Sequence, residues 1–212
     1  MKSKTAWLHF VALLCGAAQT AFAAEGELKL ATETPAKSIN LSAEGKGDWA
    51  HWGHIHGVTI LNRRQSTRPI IGNLVKVGVR ELHTFENNPT TFSWSDGAPA
   101  AEVKQTRSGV FTYGQHAGFQ IALPADTTPR TAKVFCGVWR GQGKLEAALS
   151  DGSAPVVTAT KDGVEPEAGD NVVFTIRYRA ASAGQTLTLK WINAAKQGNV
   201  TFQAVALNED TK

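Results

Sequence analysis

The sequence predicts an all-β chain, a single antiparallel β-sandwich of jelly-roll type. Three observations point there. Apolar residues alternate with polar ones at period 2 in segment after segment. Those segments are short and are separated by Gly, Pro, Asn and Asp turns. No stretch of helical length after residue 24 shows a 3.6 period, and twenty glycines with only 19% charged residues favour strands and turns.

The chain begins with a segment that does not belong to the fold. Residues 1–23 read as a secretory signal peptide. Lys2 and Lys4 form the charged start, residues 10–15 the apolar centre, and Ala21-Phe22-Ala23 the small-residue cleavage site before Ala24. Cys15 as a lipidation site is the weaker alternative, because Leu14 stands where a small residue is needed. The apolar run is too short to span a bilayer, and no later segment approaches 20 apolar residues. The expected location is secreted or periplasmic.

Residues 24–40 are polar and patternless and are expected to be a flexible N-terminal segment, although Leu28 and Leu30 would suit a short edge strand. The sandwich domain is expected over residues 41–208. Within it Val75, Val77 and Val79 share a face, and Phe119, Ile121 and Leu123 alternate before Pro124-Ala125-Asp126. Leu145, Ala147 and Leu149 alternate before Ser150-Asp151-Gly152. Val172, Phe174, Ile176 and Tyr178 face one way and Thr175, Arg177 and Arg179 the other. Leu187, Leu189 and Trp191 repeat the pattern, and the last strand runs over about residues 199–207. Residues 133–140 are apolar on both phases, with Val134, Cys136 and Val138 against Phe135 and Trp139, so this strand is expected at the centre of its sheet. The count comes to about nine to eleven strands. The turns Ser95-Asp96-Gly97 and Ser150-Asp151-Gly152 echo one another, but the echo does not extend to a duplicated domain.

Composition excludes several functions. Loss of Lys2 and Lys4 leaves 20 basic against 18 acidic residues, a net charge of +2, with no basic cluster beyond Arg63-Arg64 and Arg177-x-Arg179. Nucleic acid is therefore not an expected partner. Cys136 is the one cysteine left, so no internal disulfide can form, and its alternating apolar setting marks it as a small buried hydrophobe. A Gly-x-Ser-x-Gly elbow and a phosphate-binding glycine loop are both missing. Asp96, Asp126 and Asp151 sit in turns, where a carboxylate caps backbone amides. The chain is not expected to be an enzyme.

Two constellations remain. His51, His54 and His56 lie within six residues, and His54 and His56 would share a strand face, as metal ligands do. No acidic residue but Asp48 lies at ligand spacing. A structural calcium ion stays open as a cofactor, though no run of acidic residues marks its ligands. The second constellation is aromatic. Trp49 and Trp52 flank Gly and His, Trp94 precedes a tight turn, Trp139-Arg140 ends the two-sided strand, and Trp191 falls on a core face. Sugar C–H faces pack on exposed rings, while Arg, His, Asn and Gln bond hydroxyls. The candidate ligand-binding residues are Trp52, His54, Trp94, Trp139 and Arg140.

Several segments together carry a resemblance. They are Gly47-Asp48-Trp49-Ala50-His51-Trp52-Gly53, Phe92-Ser93-Trp94-Ser95-Asp96-Gly97, and the run from Gly118 to Thr127. Arg130-Thr131 follows, leading into Val134-Phe135-Cys136-Gly137-Val138-Trp139, and then come residues 149–155, 178–187 and 198–204. In this order, across residues 45–207, they resemble the galactose-binding-like β-sandwiches of secreted bacterial proteins, carbohydrate-binding modules often appended to glycoside hydrolases. The resemblance implies a jelly-roll fold and a glycan or cell-surface polysaccharide as partner. It supplies no ligand-residue list. With no enzyme attached, such a module would act as a lectin, an accessory protein or an assembly subunit. The leading expectation is a secreted, non-catalytic glycan-binding protein. An envelope subunit with a protein partner and no sugar site is the alternative, and a His-based metal-binding protein a further one.

Overall fold

The computed structural model describes residues 25–55, 59–65, 69–164 and 169–210. The proposed signal peptide and His56 lie outside the described residues. In chain order the first strands are β1 (Glu27–Glu33), β2 (Ser38–Asn40), β3 (Asp48–Ile55), β4 (Thr59–Arg64), β5 (Val75–Val77) and β6 (His83–Phe85). Next come β7 (Thr91–Trp94), β8 (Gly97–Ala98), β9 (Val103–Thr106), β10 (Gly109–Tyr113), β11 (Gly118–Ala125) and β12 (Arg130–Trp139). The last are β13 (Gln142–Leu149), β14 (Val157–Asp162), β15 (Asp170–Arg179), β16 (Gln185–Asn193) and β17 (Asn199–Glu209). One helical turn, α1 (Leu41–Glu44), joins β2 to β3. The strands absent from the sequence-based count are mostly those of two to four residues, too short to display alternation.

The protein is an antiparallel β-sandwich. Nine strands form the larger sheet, in the order β1-β15-β12-β17-β3-β4-β8, with β10 pairing both β17 and β6. Five form the second sheet, β14-β13-β16-β11-β5. From β11 onward the chain crosses repeatedly between the two, as in a jelly roll. A third sheet, β2-β7-β9, contains the parallel pair β2–β7.

Alternation explains the main core. Val134, Cys136 and Val138 of β12 and Phe174 and Ile176 of β15 meet Phe119, Ile121, Leu145, Leu189 and Trp191 from the opposite sheet. Burial also pushes the Cys136 thiol pKa well up, so it behaves as a small hydrophobe. On the other phase of β12, Phe135 joins Val173, Ala204 and Ala206 in a second core beneath Ile39, Leu41, Phe92, Trp94 and Val103. Strand β12 is thus buried on both faces and lies between β15 and β17. A bulge against Phe135 and Cys136 shifts the phase of β17, so that Val200 and Phe202, then Val205 and Leu207, all reach the main core.

The N-terminal segment is not a flexible lead-in. Residues 27–33 pair with β15 along their whole length, and Leu28 is buried in the main core. A seven-residue ladder and one buried leucine order a stretch whose composition is polar.

The turn carboxylates are structural. Asp96 accepts from Ser42, from Trp49 Nε1 at 2.9 Å, and pairs with Arg64 Nε at 3.0 Å. Asp48 accepts the amides of Trp49, Ile70 and Ile71, which occupies the oxygens a metal would need. Arg130 Nη2 donates to Asp126 and Glu209, both at 3.0 Å. The bond from Arg130, opposed by burial and aided by the Thr128 amide, holds the Asp126 carboxyl at about 2. This folded-state value lies below the ordinary 3.8, so the stabilisation is present above about pH 4 and is lost as pH falls through 2. Because the Asp126 side chain is 32% exposed, the contribution is about 1 kcal/mol or less. Asp126→Asn is expected to flatten the fall in stability between pH 4 and pH 2, read by urea denaturation. An unchanged profile would show that the pair contributes nothing.

Candidate functional site

The structure separates the five sequence-derived candidates. Trp52 is 4% exposed and packs edge-on against Phe202, ring centroids 5.4 Å apart, in the main core. Trp94 is 2% exposed, donates Nε1–H to the Ala100 carbonyl at 2.9 Å and lies 5.1 Å from the Trp49 ring. Neither can offer a ring face to a sugar, which corrects the expectation for both. The cause is layering: β3 runs between β17 and β4, and its two faces are covered by the main core and by the small third sheet.

His54 is half-buried, with Nδ1 3.4 Å from Thr84 Oγ1. It lines a cleft of about 350 Å³ with Ile55, Glu86, Val103, Lys104 and Arg107, a mixed set without a Phe, Tyr or Trp ring. His51 is fully buried between Phe92 and Trp94. Among the described residues no group of three His, Cys, Asp or Glu could hold a metal ion.

Trp139 and Arg140 belong to a different place. Trp139 pairs across the ladder with Asn199 of β17, and Asn199 pairs with Tyr113 of β10. Directly paired residues share a sheet face, so Tyr113, Asn199 and Trp139 stand in a row. The next row is Phe111, Thr201 and Gly137. Gly137 lets Thr201 and Asn171 close in over the sheet: a Cβ there would crowd Thr201 Oγ1 and Asn171 Oδ1. His83 of β6 stacks against Phe111 at 5.1 Å and Tyr113 at 5.7 Å. This is the outer face of the larger sheet, in the part that the third sheet does not cover.

These side chains make a cleft of about 430 Å³. Phe111, Tyr113, Trp139 and Asn199 line it together with Arg80, Lys196 and Gln197. Tyr113 is 42% exposed. The Arg80 guanidinium lies 5.3 Å from the Tyr113 ring centroid and that of Arg140 4.6 Å from the Trp139 ring. Gly198 closes one edge, where its φ of +79° and its approach to the Trp139 and Arg140 carbonyls leave no room for a side chain. A third cleft, lined by Glu44, Lys46, Ile70, Leu207 and Asn208 among others, also lacks an aromatic ring.

Phe111, Tyr113 and Asn199 were not among the sequence candidates. The available signal was strand β10 itself, where Val110 and Thr112 point inward and two aromatics occupy the opposite phase.

No family model and no curated protein matches this chain. Solved structures show weak similarity. The CBM22-1 and GH10 modules of Clostridium thermocellum xylanase 10B, complexed with xylohexaose, match at 12% identity over 64% of this chain and 26% of that one, TM-score 0.38. TmCBM61 in complex with β-1,4-galactotriose matches at 10% identity over 61% and 88% of the two chains, TM-score 0.37. The CBM22-1 xylan-binding domain of Paenibacillus barcinonensis Xyn10C matches at 10% over 65% and 87%, TM-score 0.37. This chain thus covers about a quarter of that CBM22-1 and GH10 chain.

Proposed function

We propose that the protein is a secreted, non-catalytic carbohydrate-binding protein whose glycan lies across Tyr113, Asn199 and Trp139. One observation carries the reading. The uncovered part of the larger sheet bears three aromatic side chains, Phe111, Tyr113 and Trp139, in a cleft otherwise walled by polar and cationic groups. Pyranose rings present C–H faces that pack on aromatic surface and equatorial hydroxyls that bond amides and guanidinium groups. Burial of Trp52 and Trp94 removes them from the site, and His54 lies in another cleft. Secretion rests on the leader read over residues 1–23, and a cell-surface polysaccharide is the natural partner there.

The test is a fluorescence titration of the mature protein with galactose-, glucose-, mannose-, xylose- and uronate-containing oligosaccharides. Trp139 is the half-buried groove tryptophan, whereas Trp49, Trp52, Trp94 and Trp191 are buried. A saturable change is expected. Trp139→Ala and Tyr113→Ala should each weaken it about tenfold or more, as loss of a binding hot spot does, with the variants still folded. A flat response across the panel would sink the reading and turn attention to an envelope protein partner.

A further inference from the structure

The groove is cationic as well as aromatic. Arg80 and Lys196 line it, and Arg140 adjoins it over the Trp139 ring. Among the described residues, no Asp or Glu lines the cleft. Among the described residues, none of the three cations forms an ion pair. Arg64 is matched by Asp96 and the buried Arg130 by Asp126 and Glu209, whereas Arg63, Arg107 and Arg177 share with the groove arginines the lack of an ion pair among the described residues.

The position of the guanidinium groups matters as much as their sign. Each lies over a ring that a neutral sugar would need. A neutral pyranose stacking there would have to displace a guanidinium from the ring face and could offer it only uncharged hydroxyl acceptors in return. A carboxylate meets the same group where it stands, because the planar guanidinium fork donates to both carboxylate oxygens. Arg140 also holds a left-handed backbone, φ +51°, which a non-glycine residue adopts only when its surroundings impose it. The surroundings here are the Gly198 backbone, packed against the Trp139 and Arg140 carbonyls.

We infer that the groove selects an acidic glycan, a chain of uronate residues whose carboxylates pair with Arg80, Arg140 and Lys196, over neutral chains. This rests on the groove being the glycan site. The experiment compares short oligomers of galacturonate, glucuronate and mannuronate with their methyl esters and with the neutral and sulfated parent sugars. Binding to the mature protein is read by calorimetry at about 50 mM and about 300 mM salt. At least one uronate should bind about tenfold more tightly than its ester, and the advantage should shrink at the higher salt. The double variant Arg80→Gln, Arg140→Gln should lose about tenfold toward that uronate and clearly less toward the ester, so that the preference for acid over ester collapses. Equal affinity for acid and ester, or a double variant that keeps the uronate affinity, would overturn the inference. A sulfated sugar binding more tightly than any uronate would overturn its carboxylate part. Neutral chains that bind in a Trp139-dependent way while no uronate does would leave the groove standing and remove the charge preference. Silence from every probe would remove both.

Discussion

Between about pH 6.5 and pH 4.5 the protein is expected to lose stability chiefly through one side chain, His51. Its ring is 0% exposed and lies 5.5 Å from Phe92 and 5.2 Å from Trp94. Neither ring nitrogen makes a well-formed hydrogen bond, the Ser108 backbone being a weak partner at most. Burial lowers its pKa from the ordinary 6.5 to about 3, with the Ser108 backbone pulling weakly the other way. The sign follows from the proton count. The unfolded chain takes up a proton near 6.5 and the folded one does not until about 3. Stability is therefore complete above pH 6.5 and falls with acidification across that window. Each pH unit inside it costs about 1.4 kcal/mol, so two units cost about 2–3 kcal/mol. Urea denaturation near pH 7 and near pH 4.5 should show this loss in the native chain. His51→Leu removes two poorly bonded polar atoms at similar volume, and should remove most of the loss. The Asp126 window, below pH 4, does not overlap. An equal loss in the variant would mean that His51 is not the group responsible.

Trp94→Ala is expected to destabilise the protein by about 3–5 kcal/mol, and Trp52→Ala by a similar amount. The first empties the second core beside Trp49 and His51 and leaves the Ala100 carbonyl without its Trp94 partner. The second empties a place against Phe202. Thermal denaturation measures the loss. Glycan affinity, taken at a temperature where both variants are folded, should be unchanged, because neither ring lines the groove. Trp139→Ala should do the reverse, weakening binding with a small effect on stability. A folded Trp52→Ala protein with binding weakened as much as Trp139→Ala would contradict the assignment of the site.

The division of labour among these tryptophans shows how far sequence reasoning reached. Alternation located β11, β12, β13, β15, β16 and β17, and the two apolar phases of residues 133–140 placed β12 at a sheet centre. That worked because a face buried against a fixed neighbour demands period 2. Strand β3 resisted the same treatment. Gly53, at φ +152°, interrupts the pairing with β4 between Trp52 and Ile55, so side-chain direction is not regular through the His-rich run. Nothing local in residues 48–55 signals that the third sheet will cover their second face, since that sheet comes from residues 38–40, 91–94 and 103–106. The groove was half legible. Trp139 and Arg140 were named, but their partners Tyr113 and Asn199 lie 26 and 60 positions away along the chain from Trp139 and meet it only through the β10-β17-β12 ladder. Leu28 shows the same effect, for its burial depends on a ladder to β15.

The central claim is that glycan binds on the uncovered face of the larger sheet. Chemical-shift mapping of the isotopically labelled mature protein, titrated with the tightest oligosaccharide found, tests it most directly. The largest shifts should fall on the Trp139 indole N–H, the Asn199 amide, Tyr113 and the Arg80 and Arg140 guanidinium N–H groups. Shifts centred instead on His54 and residues 104–108, or on no coherent surface at saturating sugar, would contradict it.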